Sequence, residues 1–156
     1  MERYVPHRPL PAAAFVPGRA GSVRPAAAPE IEGRTLPPGS WRENEAWLFG
    51  ADLWNHGFLW EAHEVWEQVW RAPFDARQAE LLRGLIQCAA AGLKIAVGTR
   101  RGADRLARAG TERIERAAAG EVRTMGLDAC AFAAAFRAFV AADPDGIGSR
   151  PRIELA

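Results

Sequence analysis

Lysine is almost missing from this chain: of 20 basic residues only Lys94 is lysine, and the other 19 are arginine. Cysteine is scarce as well. Cys88 and Cys130 stand far apart with no C-x-x-C pair, which excludes a zinc knuckle or a disulfide framework and leads us to expect two reduced thiols in a cytoplasmic protein. Neither sign of charge is in excess. Lys+Arg 20 against Asp+Glu 19 leave a net charge of +1, which gives no general attraction to nucleic acid or to an anionic membrane. No apolar run approaches membrane-spanning length, and Pro9, Pro11 and Pro17 interrupt the segment where a secretory leader would lie. The arginine bias fits a GC-rich coding sequence and carries little functional weight. What remains is ordinary for a globular chain: 156 residues, 49% hydrophobic, enough for one domain with a buried core.

Proline is abundant in one place only. Eight of 11 prolines precede Ser40, and each removes a backbone donor and restricts its predecessor, so residues 1–39 read as an extended arm. Such an arm either stays mobile or wraps the domain or a partner subunit through Tyr4, Val5, Phe15 and Val16. Residues 40–145 read as a helical bundle and 146–156 as a tail. Ser40 and Glu43 have capping-box spacing and open a first helix with Trp47, Leu48, Ala51 and Trp54 on one stripe, ending at Gly57. A second helix runs from about Phe58 to Arg71 and stops at Pro73. A third is capped by Asp75 and is apolar almost all round except near Arg83, Gln87 and Lys94, the pattern of a central helix. A fourth, from about Arg100 to Ala119, sets Ala103, Leu106, Ala107, Gly110, Ile114 and Ala117 against an arginine-rich face. Acidic residues interrupt that face, so a solvated surface is the better reading than nucleic-acid binding. A fifth follows Asp128 with Phe132, Phe136, Phe139 and Val140. Gly50, Leu53, Gly57, Ala62, Trp66 and Pro73 fall near the spacing of a tetratricopeptide hairpin, but nothing comparable recurs. This predicts that helices one and two pack antiparallel, and no solenoid. The fold class expected is all-α, a single orthogonal or antiparallel bundle of about five helices.

The chemistry concentrates in "NHGFLWEAHEVWEQVW", residues 55–70. At roughly 100° per residue, Trp70, Leu59 and Trp66 lie to one side of His63, and Glu67 lies about 40° to the other, one turn on. Glu64 and Glu61 point progressively further toward water. His63 therefore sits at the edge of the packing face with Glu67 beside it. Three readings fit. An i, i+4 imidazole and carboxylate are two ligands of a divalent metal, with His56 or a carboxylate of another helix supplying more; H-E-x-x-E is not the H-E-x-x-H of a zinc protease. Alternatively, Glu67 orients and charges His63 for acid–base work on a small substrate held against the indoles of Trp66 and Trp70. In the third, the pair only satisfies two polar groups where helices meet.

The stretch "WNHGFLWEAHEVWEQVW" together with the following "LLRGLIQCAAAGLKIAVG" resembles the bacterial and archaeal family known as domain of unknown function DUF309. His63, Glu67 and Trp70 match its H-x-x-x-E-x-x-W core, and Asn55 and Gly57 match its turn. Trp54 stands where phenylalanine is more usual. The resemblance spans about residues 44–115. It implies a small helical bundle and a metal-binding role for the histidine and glutamate, but no substrate. Gln87, within the second block, either hydrogen-bonds His63 or Glu67 or faces water with Arg83 and Lys94. The expected function is thus a divalent-metal site (zinc, manganese or iron) or a small-ligand site on His63 and Glu67. Asn55, Glu64, Trp66, Trp70 and Gln87 are candidates for its wall or surroundings. The alternative is a non-enzymatic interaction module that docks a protein partner or a second copy of itself. Whether the protein is an enzyme stays open.

Overall fold

The structure is a computed structural model that describes residues 2–32 and 36–156; residue 1 and residues 33–35 of the expected arm lie outside the described residues. Five α-helices follow one another: α1 Glu45–Asn55, α2 Leu59–Trp70, α3 Ala76–Ala96, α4 Arg100–Ala118 and α5 Ala129–Ala141. The fold is all-α. Among the described residues no strand forms, only isolated bridges at Thr124–Leu127 and Leu127–Leu155.

The helix boundaries follow local chemistry, with one correction. Ser40 and Glu43 do not cap α1: they lie in a 3-10 helix, Pro38–Glu43, kinked at Ser40. Paired prolines at 37 and 38 fix a tight turn there, and the chain restarts at Asn44, whose side chain accepts the Trp47 N–H. Asp75 and Asp128 cap α3 and α5 as expected, accepting from Gln78 N and Ala131 N.

Consecutive helices pack together: α1 on α2, α2 on α3, α3 on α4 and α4 on α5. The α3–α4 pair is antiparallel. At one end Arg77 donates to Ala117 O and Ala118 O; at the other, the stem of Lys94 lies beside Gly102. At the crossing, Gly84 and Gly110 meet so closely that a Cβ on either would fall 2.7 Å from the other's carbonyl oxygen. Only glycine lets the two backbones come this near. The centre of the core is aromatic: Trp54 contacts Trp66, Phe132 and Phe136 at centroid distances of 6.2, 5.7 and 5.8 Å.

The N-terminal arm lies on the bundle. Buried Asp52 of α1 accepts from the Tyr4 N–H at 2.9 Å and the Val5 N–H at 2.8 Å, while Val5, Val16 and Ile31 are buried. The C-terminal segment docks beside it. Asn55 clamps the Ile153 backbone with two hydrogen bonds, donating to its carbonyl at 2.9 Å and accepting from its N–H at 2.8 Å. Arg150 donates to the Trp54 carbonyl near the end of α1, where a cation also complements the helix dipole.

Candidate functional site

Helix α2 presents two different faces, and its indoles divide between them. Trp66 is fully buried in the core against Trp47 and Trp54, and its indole lies where a side chain at Gly50 would otherwise stand. Trp70 is half-buried under the Arg83 guanidinium of α3, 4.9 Å from its ring centroid. Neither of these two rings lines the cavity beside His63. The indole at the cavity beside His63 is Trp60, held edge-on by Phe15 of the arm at 5.1 Å. The sequence reading assigned Trp60 no place at the site; the arm, whose course the sequence did not reveal, packs on it.

His63, Glu64 and Glu67 come together. One ligand atom from each lies within 4.8 Å of the others, and all three side chains are about one-quarter exposed. His63 Nδ1 is 3.3 Å from Glu64 Oε1, and Nε2 is 3.9 Å from Glu67 Oε1. Glu67 also has Arg71 at 3.6 Å. These contacts are close but poorly directed: Nδ1 is buried and has no hydrogen-bond partner among the described residues. A buried polar nitrogen left unbonded is costly unless something else satisfies it.

Gln87 repeats the pattern across the helix interface. Arg83 over Trp70, and Ala90 in the same cavity wall as His63, show that α3 runs antiparallel to α2. Gln87 falls between these levels. It neither bonds His63 or Glu67 nor faces water through its carbonyl: Oε1 is buried and unpartnered.

Other expected participants lie elsewhere. Asn55 is committed to Ile153, and His56, weighed as a further ligand, donates from Nδ1 to Asp52 O at 2.8 Å. Glu61 does not point to water. It is 1% exposed beneath the arm, with Oε1 accepting the Phe15 N–H at 2.8 Å and Oε2 unpartnered. Burial pushes its carboxyl above the ordinary glutamate range, against the opposing pull of the Phe15 N–H. The helical wheel assigned that face to solvent because it contains no information about a distant segment covering it.

A cavity of about 230 Å³ opens beside the imidazole, lined by Pro17, Trp60, His63, Ala90, Leu93 and Lys94. Sequence reading missed Pro17, Trp60 and Leu93; Lys94 is exposed, as expected, and also lines this cavity.

Residues 47–106, from α1 into α4, match the family model described as "Domain of unknown function (DUF309)". The resemblance read from the sequence holds over that segment. No curated protein matches the chain, and no solved structure does.

Proposed function

We propose that His63, Glu64 and Glu67 hold one divalent cation, of the zinc, manganese or iron type, at the edge of the α2–α3 interface. The observation that carries this reading is the convergence of one imidazole and two carboxylates within 4.8 Å, with the His63 ring nitrogen buried and unbonded. Bonds of about 2.1 Å to nitrogen and oxygen require the donors to close in by roughly an ångström, within reach of side-chain rotation. A neutral imidazole with two carboxylates suits borderline cations, and softer ions that prefer thiolate gain nothing here. The buried Cys88, whose burial disfavours the thiolate, is not part of the group.

Three protein donors leave coordination positions for a small ligand, and the neighbouring cavity offers room for one. The cation would neutralise Glu64 and Glu67 and act as a Lewis acid toward such a ligand. The chain's own residues position it: α2 fixes the three donors at i, i+1 and i+4, and the Trp66 anchor sets the rotation of the helix. Among the described residues no helix is long and apolar enough to cross a membrane. Two free thiols support a cytoplasmic setting.

Metal analysis of the full chain purified without a histidine tag tests the reading. One ion per chain is expected, lost in His63→Ala and Glu67→Gln with helicity unchanged. Retention of the ion in both variants, or no binding of zinc, manganese or ferrous iron by the folded protein, would overturn it. The second outcome would favour an interaction module with a structural His–Glu pair.

A further inference from the structure

We propose that the cavity beside His63 is a binding site for a small organic carboxylate with an apolar body. This goes beyond the cation reading and does not require it. The walls are the indole of Trp60, the side chains of Leu93 and Ala90, and the ring of Pro17; no acidic residue lines the space. Its polar groups are the His63 imidazole and the Lys94 ammonium.

Lys94 is the chain's single lysine, and it forms no ion pair among the described residues. Its stem rests near Gly102, the Cδ and Cγ atoms 3.6 Å from where a Cβ would stand. A second cation stands over the same indole: Arg24 of the arm places its guanidinium 5.8 Å from the Trp60 ring centroid, and it too forms no ion pair among the described residues. An ammonium without an acidic partner at the wall of a mostly apolar cavity favours an anion with a hydrophobic portion.

Size and donor count narrow the class. At about 230 Å³ the space is below the ~300–1,000 Å³ of drug-sized pockets, so the occupant is small. A phosphate is a poor fit, because its several oxygens call for many donors, and most of this lining is hydrocarbon. A carboxylate needs only one or two donors, and an aromatic or branched body fills the rest against Trp60.

The arm completes the site. Pro17 is held over the cavity because Phe15 packs on Trp60 and donates its N–H to Glu61. The recognition surface is thus made by α2, α3 and the arm together.

The test uses the full chain in EDTA, so that cation binding plays no part, with benzoate, benzamide, acetate and inorganic phosphate as probes. Binding is followed through the Trp60 indole N–H resonance, assigned with Trp60→Phe. Benzoate should shift it saturably. Benzamide and acetate, each lacking half of the recognition, should bind about tenfold more weakly, as expected for loss of a charge-assisted contact or of apolar burial. Lys94→Met should weaken benzoate about tenfold, and because Lys94 is exposed the fold should be unaffected. Lys94→Arg should retain most of the binding. Equal affinity for benzoate and benzamide, tighter binding of phosphate than of benzoate, an unmoved Trp60 resonance or no effect of Lys94→Met would each overturn the proposal.

Discussion

Replacing Gly50 with alanine should unsettle α2 without touching any polar group of the site. A Cβ at position 50 would lie 2.5 Å from Trp66 Cδ1, 2.6 Å from Cε2 and closer still to Nε1. Ordinary carbon contacts begin near 3.5 Å, so the indole would have to retreat by about an ångström. It has nowhere to go. Trp47 and Trp54 stand 6.1 and 6.2 Å away by ring centroid, and the indole N–H is directed at Trp47 O at 3.4 Å. Overpacking of this kind costs about 1–3 kcal/mol, and a rigid ring held between rigid rings belongs at the upper end. Alanine returns up to about 1 kcal/mol through its better helix propensity. The net expectation is a loss of about 2 kcal/mol, equivalent to a Tm lowered by roughly 4–8 °C in a domain of this size. Urea unfolding with a matched thermal scan measures it. Gly39→Ala, where a Cβ meets nothing within 4 Å, is the control and should stay within about 0.5 kcal/mol of wild type. Pairing Gly50→Ala with Trp66→Leu should recover part of the single-mutant loss, since the two residues contest one space. If Gly50→Ala is as stable as wild type, the indole is not wedged on α1, and the reasoning that fixes the rotation of α2 fails.

Three other outcomes follow from the same contacts. Asn55→Ala removes both hydrogen bonds to Ile153 and should cost about 2 kcal/mol; hydrogen exchange should show lost protection at 153–155 while cation binding persists. Of the two thiols, only exposed Cys130 should react with Ellman's reagent in the folded protein, because Cys88 is fully buried and burial pushes its thiol far up; rapid release of two equivalents would refute that burial. Glu45 is held below its ordinary 4.5 by hydrogen bonds from Arg8 and then His7 of the arm. A depressed carboxyl contributes stability that is present above the unfolded value and lost as pH falls through the folded one. Protection of the segment around Arg8 should accordingly decline as pH falls below the ordinary glutamate value of 4.5. Glu45→Gln should lower it already at pH 7 with little further acid response, and a variant indistinguishable from wild type at both pH values would contradict the clamp.

The fold was legible where side chains act locally. Asp75 and Asp128 announce helix starts, Pro73 and Gly57 announce ends, and the stripes of α4 and α5 face the core as their periodicity requires. The failures involve distant contacts. Ser40 and Glu43 have the spacing of a cap, but the adjacent proline pair takes them into a 3-10 turn and Asn44 takes over. At the site, the His63–Glu67 pair was readable from its i, i+4 spacing, whereas Glu64, which the wheel turned toward water, joins the group only in the structure. The surrounding wall was not readable either. A helical wheel separates the core from everything else, and cannot say that Trp66 belongs to the core while Trp60 lines a cavity. It also could not place Phe15 on Glu61, because that contact joins residues 46 positions apart. Asp52 carried a signal that was passed over: an acidic residue beside the apolar stripe of α1, now seen accepting two backbone N–H groups of the arm.

The most direct measurement is a crystal structure of the full chain grown with manganese or zinc, with anomalous scattering recorded at the metal edge. A single peak about 2.0–2.3 Å from a His63 ring nitrogen and from carboxylate oxygens of Glu64 and Glu67 is the predicted result. Anomalous peaks elsewhere with these three side chains unmoved, or no peak in crystals soaked to saturation, would contradict the account.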